Sequence, residues 1–275
     1  MPYSKEDFLR WARNGLSQYP LQVADLKFLG HSDNLTFRVE GADGELYLLR
    51  LHHPVSYFYR GMRQLPEAIS SELVWMEALY REGGVTVQQP VRSSAGKPLV
   101  QIVVEDGMSI PCTLLTWLDG GHFAPAAPGT QQLVEQLGVL VARMHNFSAG
   151  WSSPQGLLRP RYDSDHFRGI FARLLHGVDL DVFSEGVYRT LRSTVRKIMD
   201  EISQLTFDSD QWGMIHADLH VGNFLVNEGE IVPIDFSFCG YGHFFFDLSV
   251  CLTGGLKMDL RQSFLRGYRS LRTLP

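Results

Sequence analysis

The chain has 275 residues, a formal net charge of −5 and a pI near 6.0. Proteins that bind nucleic acid need a basic surface, and this chain has no run of Lys or Arg, so we expect no nucleic-acid partner. It has no apolar segment of membrane-spanning length, and its 3 cysteines are far apart, without C-x-x-C spacing. We therefore expect a cytoplasmic protein with free thiols and no signal peptide that binds no membrane and acts on a small molecule.

The N-terminal part of the sequence predicts a β-sheet. Short runs rich in β-branched and aromatic residues are typical of strands, and they cover residues 23–29, 35–39, 45–51, 99–104 and 111–118. The first two runs are joined across the polar turn Gly30-His31-Ser32-Asp33-Asn34. Five such strands connected by turns predict a mostly antiparallel sheet.

Helices are predicted by apolar residues at helical spacing. One lies between the third and fourth strands, over residues 67–82, where Ile69, Leu73 and Met76 share a face. After residue 118 the helical pattern dominates, over residues 131–145, 165–175, 186–205, 249–252 and 260–271. The second half of the chain is therefore predicted to be mainly helical.

The polar residues within residues 214–248 carry the most information about chemistry. Asp218 lies five positions before Asn223 (223 − 218), and Asp235 follows twelve positions later (235 − 223). Residues 224–226 and 231–234 are β-type runs separated by a short polar turn, which predicts a hairpin that returns Asp235 to Asn223. An amide and a carboxylate oxygen suit Mg²⁺, which takes its remaining ligands from phosphates and water.

The sequence HADLHVGN at residues 216–223, followed by Ile234-Asp235-Phe236, resembles two motifs of a known superfamily. They are the H-x-D-x-x-x-x-N and (I/V)-D-(F/W) motifs of the aminoglycoside phosphotransferase and choline kinase-like superfamily, small-molecule relatives of the protein kinases. The resemblance implies that Asp218 accepts or orients the proton of a substrate hydroxyl. It also implies that Asn223 and Asp235 hold Mg²⁺ on the phosphates of ATP.

Residues 240–248 resemble the continuation of this motif, with longer spacing. The resemblance implies that Asp247 starts a helix and bonds back to the catalytic loop. His216 is expected to be a buried organiser of that loop, and His145, at the end of a predicted helix, is expected to be structural.

The resemblance also implies phosphate contacts in the N-terminal part. Ser32 and Asn34 lie in the turn after the first strand, where their side chains and backbone N–H groups would contact phosphates. Arg50 stands where the third strand of a kinase carries its phosphate-binding Lys, and its fixed positive charge serves the same purpose.

Glu72 is the carboxylate implied to pair with this arginine, and Glu77 on the same predicted helix is the competing candidate. The fifth strand leads out of the sheet near Thr116 and Leu118. By resemblance, main-chain groups at these two residues would contact the edge of the adenine.

The implied fold is an α+β, bilobal protein-kinase-like fold. We expect a nucleotide-binding lobe over residues 1–118, with a five-stranded antiparallel sheet and a helix. A mainly helical catalytic and acceptor-binding lobe is expected over residues 119–275. Members of the superfamily often continue for another helix or two, so we expect the acceptor-site end of this chain to be short or truncated.

The implied reaction is transfer of the γ-phosphoryl group of ATP to a hydroxyl of a small molecule, with Mg²⁺ as cofactor. Homoserine, choline, ethanolamine, a sugar-like metabolite, an aminoglycoside, a macrolide and a protein Ser/Thr all remain open as acceptors, and so does the oligomeric state. A nucleotide-binding pseudokinase is disfavoured because both acids and the asparagine of the motifs are present. A metal-dependent hydrolase is a more distant alternative, in which His216, Asp218 and His220 would share one face of a strand.

Overall fold

The computed structural model of the protein describes residues 3–54, 61–105, 107–123, 129–205 and 207–275. Within these residues the α-helices, in chain order, are α1 (Lys5–Leu16), α2 (Pro66–Arg81), α3 (Thr130–Gly150), α4 (Ser164–Asp179), α5 (Glu185–Ile202), α6 (Phe244–Thr253) and α7 (Arg261–Arg269). The strands there are β1 (Val23–His31), β2 (Leu35–Gly41), β3 (Leu46–Leu51), β4 (Val100–Val103), β5 (Ser109–Thr116), β6 (Gly121–His122), β7 (Trp212–Ile215), β8 (Phe224–Asn227), β9 (Glu230–Pro233) and β10 (Gly240–His243). No helix in this part of the chain has the length and apolar character needed to cross a membrane.

The chain divides into two compact units. The first comprises Met1–Ala124, Ser153–Arg159 and Gly222–Ser237, and the second comprises Pro125–Ser152, Pro160–Val221 and Phe238–Pro275. Asn223 and Asp235 therefore belong to the first unit, whereas Asp218 belongs to the second. The division after residue 118 that the sequence suggests stays a prediction.

A five-stranded antiparallel sheet forms the centre of the first unit. Its strand order is β1-β2-β3-β5-β4, with neighbours antiparallel throughout. Leu35, Phe37 and Val39 alternate along β2 and are fully buried, because successive side chains of a strand point to opposite faces. They share one hydrophobic core with Trp11 and Leu16 of α1. The predicted five-stranded antiparallel sheet is confirmed.

The predicted helix and hairpin of the first unit are also present. The face of α2 that carries Ile69, Leu73 and Met76 is buried, as its spacing predicts. β8 and β9 form an antiparallel hairpin whose turn residues Glu228 and Gly229 have φ values of +49° and +86°. Two successive left-handed residues give the turn a twist that matches the strands. β6, which pairs with β8, escaped prediction because two residues are too short to show a periodicity.

The second unit is mainly helical, as predicted. The predicted helices at 131–145, 165–175, 186–205 and 260–271 correspond to α3, α4, α5 and α7. The helix predicted at 249–252 begins earlier, at Phe244. The pair β7 and β10 was not predicted, because β10 alternates glycine with polar or aromatic residues and glycine has low β-propensity.

α3 and α7 pack against each other in the second unit with their backbones in close approach. Two glycines allow it: a Cβ atom added to Gly138 would overlap the backbone of Phe264, and one added to Gly267 would overlap the backbone of Glu135. Each glycine therefore lets the main chain of one helix touch the main chain of the other.

We predict that Gly138→Ala destabilises the protein, although alanine is the better helix former. The added methyl group has to push α7 away, and overpacking of this kind costs about 1–3 kcal/mol. The measurement is the free energy of unfolding in urea. Gly150→Ala is the matched control, since it adds the same methyl group to the end of α3, where nothing lies within 4 Å. Equal stability of the two variants would contradict the account of the helix contact.

Candidate active site

A buried carboxylate, that of Asp247, fixes the loop that carries Asp218. Asp247 lies in the first turn of α6 and has no exposed surface. Its Oδ2 accepts a hydrogen bond from the His216 N–H at 3.0 Å, and its Oδ1 accepts one from the Ala217 N–H at 2.7 Å. Ala217 has φ of +65°, a conformation that is costly for alanine and persists only where neighbouring groups hold it. The prediction that Asp247 bonds back to this loop is confirmed.

His145 holds Asp247 from the other side. Its Nε2 lies 3.3 Å from Asp247 Oδ2, and its Nδ1 lies 3.0 Å from the hydroxyl of Tyr268. Burial lowers the pKa of His145, and its hydrogen bond to Asp247 only partly opposes this, so the ring is neutral. Burial also raises the pKa of Tyr268 to about 12, so that its O–H remains a donor to the ring. His145 is thus a scaffold residue, which agrees with the expectation from the sequence.

Asp218 has a fixed backbone and an accessible carboxylate. Its N–H donates to Nδ1 of the fully buried His216 at 3.3 Å, and its C=O accepts from the His220 N–H at 2.9 Å. The Asp218 side chain is 31% exposed, and its Oδ2 lies 3.8 Å from Nε2 of His220. A general base needs this combination of a defined position and an open approach for the substrate.

The β8–β9 hairpin brings Asn223 and Asp235 to the same end, in the first unit. The Ile234 N–H donates to the C=O of Asn223 at 2.9 Å, which continues the ladder of the hairpin by one step. Asp235 is exposed and has φ of +61°, and its Oδ1 accepts from the Ser237 N–H at 3.3 Å. A left-handed residue at this point bends the chain out of the strand and presents the carboxylate at the strand end.

A cavity of about 340 Å³ lies within the first unit, in the size range of small-molecule sites. Its lining includes five of the residues predicted to contact the nucleotide and its metal: Ser32, Asn34, Arg50, Leu118 and Asp235. Apolar side chains line much of the rest, among them Leu29, Leu48, Trp117, Leu225 and Ile234. The cavity therefore combines an apolar part that suits a purine ring with polar groups that suit phosphates.

Arg50 and Glu72 form a buried ion pair beside this cavity. Arg50 Nη1 lies 2.8 Å from Glu72 Oε1, and the two side chains are 5% and 2% exposed. The pair is an ion contact without the alignment of a hydrogen bond, since Oε1 has no hydrogen-bond donor in the part of the chain that is described. The competing candidate, Glu77, pairs instead with Arg81 and Arg92 near the surface.

The residues predicted to contact adenine lie at the end of β5. The Thr116 C=O accepts a hydrogen bond from the side chain of Gln88 at 3.3 Å, and the Trp117 N–H donates to the C=O of Leu46 at 3.1 Å. Leu118 lines the cavity, whereas Thr116 is not among its lining residues. Gln88, which lines the cavity, was not predicted from the sequence.

Two further buried polar residues near the ion pair were missed. His52 Nε2 lies 3.1 Å from Thr113 Oγ1, and Arg159 Nη1 lies 3.8 Å from Glu72 Oε2. Burial, with the charges of Arg50 and Arg159, lowers the pKa of His52 well below its usual value, so the ring is neutral. His52 follows Arg50 by two residues, a same-face spacing that could have revealed it. Arg159 lies in a loop without periodicity and gave no such signal.

The donor set of the first unit fits a nucleotide with a bound Mg²⁺. Arg50 Nη2 and Asn34 Oδ1 are buried without a hydrogen-bond partner among the described residues. A half-turn of the Asn34 amide exchanges its oxygen and nitrogen, so this group can donate to a phosphate. Asn223 and Asp235 would supply oxygen ligands to Mg²⁺. The described residues hold no group of three or more His, Cys, Asp or Glu side chains arranged to bind a metal.

The protein has a protein-kinase-like fold. Its first unit has an antiparallel five-stranded sheet with the Arg50–Glu72 pair, and its second unit is mainly helical. Within that fold class, the sequence profile of the phosphotransferase enzyme family matches residues 25–274. The chain belongs to this family. Both the fold and the superfamily inferred from the motifs around Asp218 and Asp235 are thereby confirmed.

Named relatives and a solved structure agree with this assignment. The chain is 23% identical to amicoumacin kinase of Bacillus subtilis (strain 168) over 237 residues, which cover 86% of this chain and 65% of that protein. It is 29% identical to homoserine kinase of Neisseria meningitidis serogroup B (strain ATCC BAA-335 / MC58) over 199 residues, 70% of this chain and 59% of that protein. It thus spans less than two thirds of either relative. The structure of an amicoumacin kinase in complex with AMP-PNP, Ca²⁺ and Ami has the same fold, with a TM-score of 0.79 at 24% identity, covering 99% of this chain and 79% of that chain.

The two buried neutral histidines, His52 and His145, predict that the protein loses stability in mild acid. Because the pKa of His52 is lowered in the folded state, the unfolded chain binds more protons below the usual value of 6.5. Stability is therefore complete above that pH and falls as the pH drops, by up to about 1.4 kcal/mol per pH unit for each histidine. Urea unfolding between about pH 7.5 and about pH 5.5 measures this slope.

We predict that His52→Gln flattens the pH dependence, whatever its effect on stability at neutral pH. His122→Gln, at an exposed histidine, is the control and should keep the wild-type slope. A His52→Gln slope equal to that of the wild type would contradict the neutral state of the buried ring.

Proposed function

We propose that this protein is an ATP-dependent phosphotransferase that moves the γ-phosphoryl group to a hydroxyl of a small molecule. The observation that carries the proposal is the cavity of the first unit, which combines Arg50, held by Glu72, with Asp235 at the end of the hairpin. The named relatives, amicoumacin kinase and homoserine kinase, support the same reaction class.

In the first unit, the proposed roles concern the nucleotide. Arg50 has a buried Nη2 without a partner among the described residues, and a guanidinium in that state stabilises an anionic ligand such as a phosphate. Ser32 and Asn34 would donate to further phosphate oxygens, and Thr116 and Leu118 would contact the base. Asn223 and Asp235 would hold Mg²⁺, which when bound supplies positive charge to the transferred phosphoryl group.

In the second unit, Asp218 would accept the proton of the acceptor hydroxyl. Its backbone is held by His216 and His220, whereas its carboxylate is accessible. The loop around it is in turn fixed by Asp247, so that the carboxylate is preorganised before substrate binds.

The test is ATP consumption by the purified protein against a panel of hydroxyl compounds. The panel should contain homoserine, choline, ethanolamine, sugar-like metabolites, amicoumacin, aminoglycosides and macrolides, and a peptide with Ser and Thr. We expect ADP to form in the presence of at least one compound, with phosphate on its hydroxyl. Binding of Mg-ATP without turnover across the panel would favour a pseudokinase. Turnover that depends on Zn²⁺ without nucleotide would favour the hydrolase.

We predict that Arg50→Ala weakens ATP binding more than Arg50→Lys, because the lysine keeps a positive charge. Loss of a hydrogen bond to a charged group costs about 1.5–3 kcal/mol, or roughly 10- to 100-fold in affinity. Glu72→Ala should act in the same direction, since it removes the group that positions Arg50. Calorimetric titration with Mg-ATP measures the effect, and Arg38→Ala, which removes a partly exposed arginine of the same sheet, is the control. Wild-type affinity and turnover in both Arg50→Ala and Glu72→Ala would contradict the assignment.

We predict that substitutions of Asp218 and Asp235 impair the reaction in different ways. Asp218→Asn should bind Mg-ATP normally but lose turnover, by roughly the 10²- to 10⁴-fold that general-base assistance contributes. Asp235→Asn should lose Mg²⁺-dependent nucleotide binding as well as turnover, because a metal ligand is removed. The measurements are Mg-ATP calorimetry and a turnover assay with an accepted substrate, with Asp259→Asn at an exposed carboxylate as control. Equal loss of nucleotide binding in both variants, or full turnover in Asp218→Asn, would refute this division of roles.

A further inference from the structure

The loop that follows α3 carries a buried arginine, Arg159, that belongs to the first unit. Arg159 is 3% exposed, and the short segment Ser153–Arg159 that carries it belongs to that unit. The Leu158 N–H donates to the hydroxyl of Ser71 on α2 at 2.9 Å, which attaches the loop to that helix just before the arginine. The backbone just before Arg159 is thus anchored to α2.

The guanidinium of Arg159 binds two different elements at once. Its Nη1 donates to the Ala68 C=O of α2 at 3.1 Å. Its Nη2 lies 2.7 Å from the Ser237 C=O and 3.4 Å from the Phe236 C=O. The planar fork of an arginine can span separate acceptors in this way, whereas the compact ammonium group of a lysine reaches fewer of them at fixed geometry.

The two carbonyls at positions 236 and 237 immediately follow Asp235. Asp235 has φ of +61° and accepts the Ser237 N–H, so the direction of its carboxylate depends on how this turn is held. Arg159 is a charged donor to the same turn, and it is buried where water cannot replace it. The turn that follows Asp235 is therefore held by a residue 76 positions earlier in the chain (235 − 159).

Arg159 also approaches the Arg50–Glu72 ion pair. Its Nη1 lies 3.8 Å from Oε2 of Glu72, whose Oε1 lies 2.8 Å from Arg50. The same guanidinium thus contacts the helix that positions the phosphate-binding arginine and the turn that carries the metal ligand. None of the sequence motifs includes it.

We propose that Arg159 is a positioning residue that couples α2, and with it the Arg50–Glu72 pair, to the metal-binding turn at Asp235. The proposal rests on the proposed function, because it assigns Asp235 to Mg²⁺ and Arg50 to the phosphates. Arg159 touches neither ligand itself, and its effect is transmitted through the carbonyls that it holds. Loss of its fork should therefore weaken the use of Mg²⁺ more than the binding of the nucleotide alone.

The experiment compares Arg159→Met, which keeps length without charge, with Arg159→Lys, which keeps charge without the fork. The probe is AMP-PNP, titrated by calorimetry without metal and over a series of Mg²⁺ concentrations. Arg92→Met is the matched control, because it removes a surface arginine that pairs with Glu77 of α2. Thermal unfolding of each variant records any general loss of stability.

We expect Arg159→Met to raise the Mg²⁺ concentration for half-maximal AMP-PNP binding by about 10- to 100-fold, the range seen when an outer-shell partner of a metal ligand is removed. Metal-free AMP-PNP binding should change less, Arg159→Lys should lie between Arg159→Met and wild type, and Arg92→Met should behave as wild type. An unchanged Mg²⁺ requirement in the folded fraction of Arg159→Met would overturn the proposal and leave the proposed function standing. If Arg159→Met does not fold, a wild-type Mg²⁺ requirement in Arg159→Lys overturns it. Absence of AMP-PNP binding in the wild type would instead refute the proposed function and, with it, this inference.

Discussion

The buried ion pair between Arg50 and Glu72 is the constraint on which the interior of the first unit depends. Two charges removed from water cost more than an apolar pair of the same volume unless their geometry is fixed and their other atoms are satisfied. The surrounding residues meet part of this requirement: His52 is neutral rather than cationic, and Arg159 approaches the second oxygen of Glu72. The polar interior connects β3, β5, α2 and the hairpin that carries Asp235, so one requirement positions several parts of the proposed nucleotide site.

The second unit solves a similar problem with a different carboxylate. Asp247 is fully buried and is satisfied by two backbone N–H groups and by His145, and these contacts hold Ala217 in a left-handed conformation. In both units a buried acid is paired, and a group that is proposed to meet substrate lies in the same unit. In the first unit that group is the Arg50 guanidinium, and in the second it is the carboxylate of Asp218. Preorganised groups held by satisfied neighbours are what a catalytic site requires.

Much of this arrangement can be read from the sequence, because strands and helices leave periodic patterns and the motifs around Asp218 and Asp235 have fixed spacing. The five-stranded sheet, α2 and the β8–β9 hairpin follow from such local signals, whereas the contact of Asp247 was implied by the resemblance to the superfamily. Two of the missed residues have no local signal: Arg159 donates to carbonyls far away in the chain, and Gln88 donates to the Thr116 carbonyl through its side-chain amide. His52 is different, because its two-residue spacing from Arg50 is such a signal. The identity of the acceptor also cannot be read from the sequence, because likeness of fold does not identify a substrate and α4 and α5 carry no motif.

A crystal structure of the protein with AMP-PNP and Mg²⁺ tests the central claim most directly. The account predicts phosphates against the guanidinium of Arg50 and the amide of Asn34, the base at the end of β5, and the metal on oxygens of Asn223 and Asp235. A nucleotide bound outside the cavity of the first unit, or a metal held by His216 and His220 instead, would contradict it.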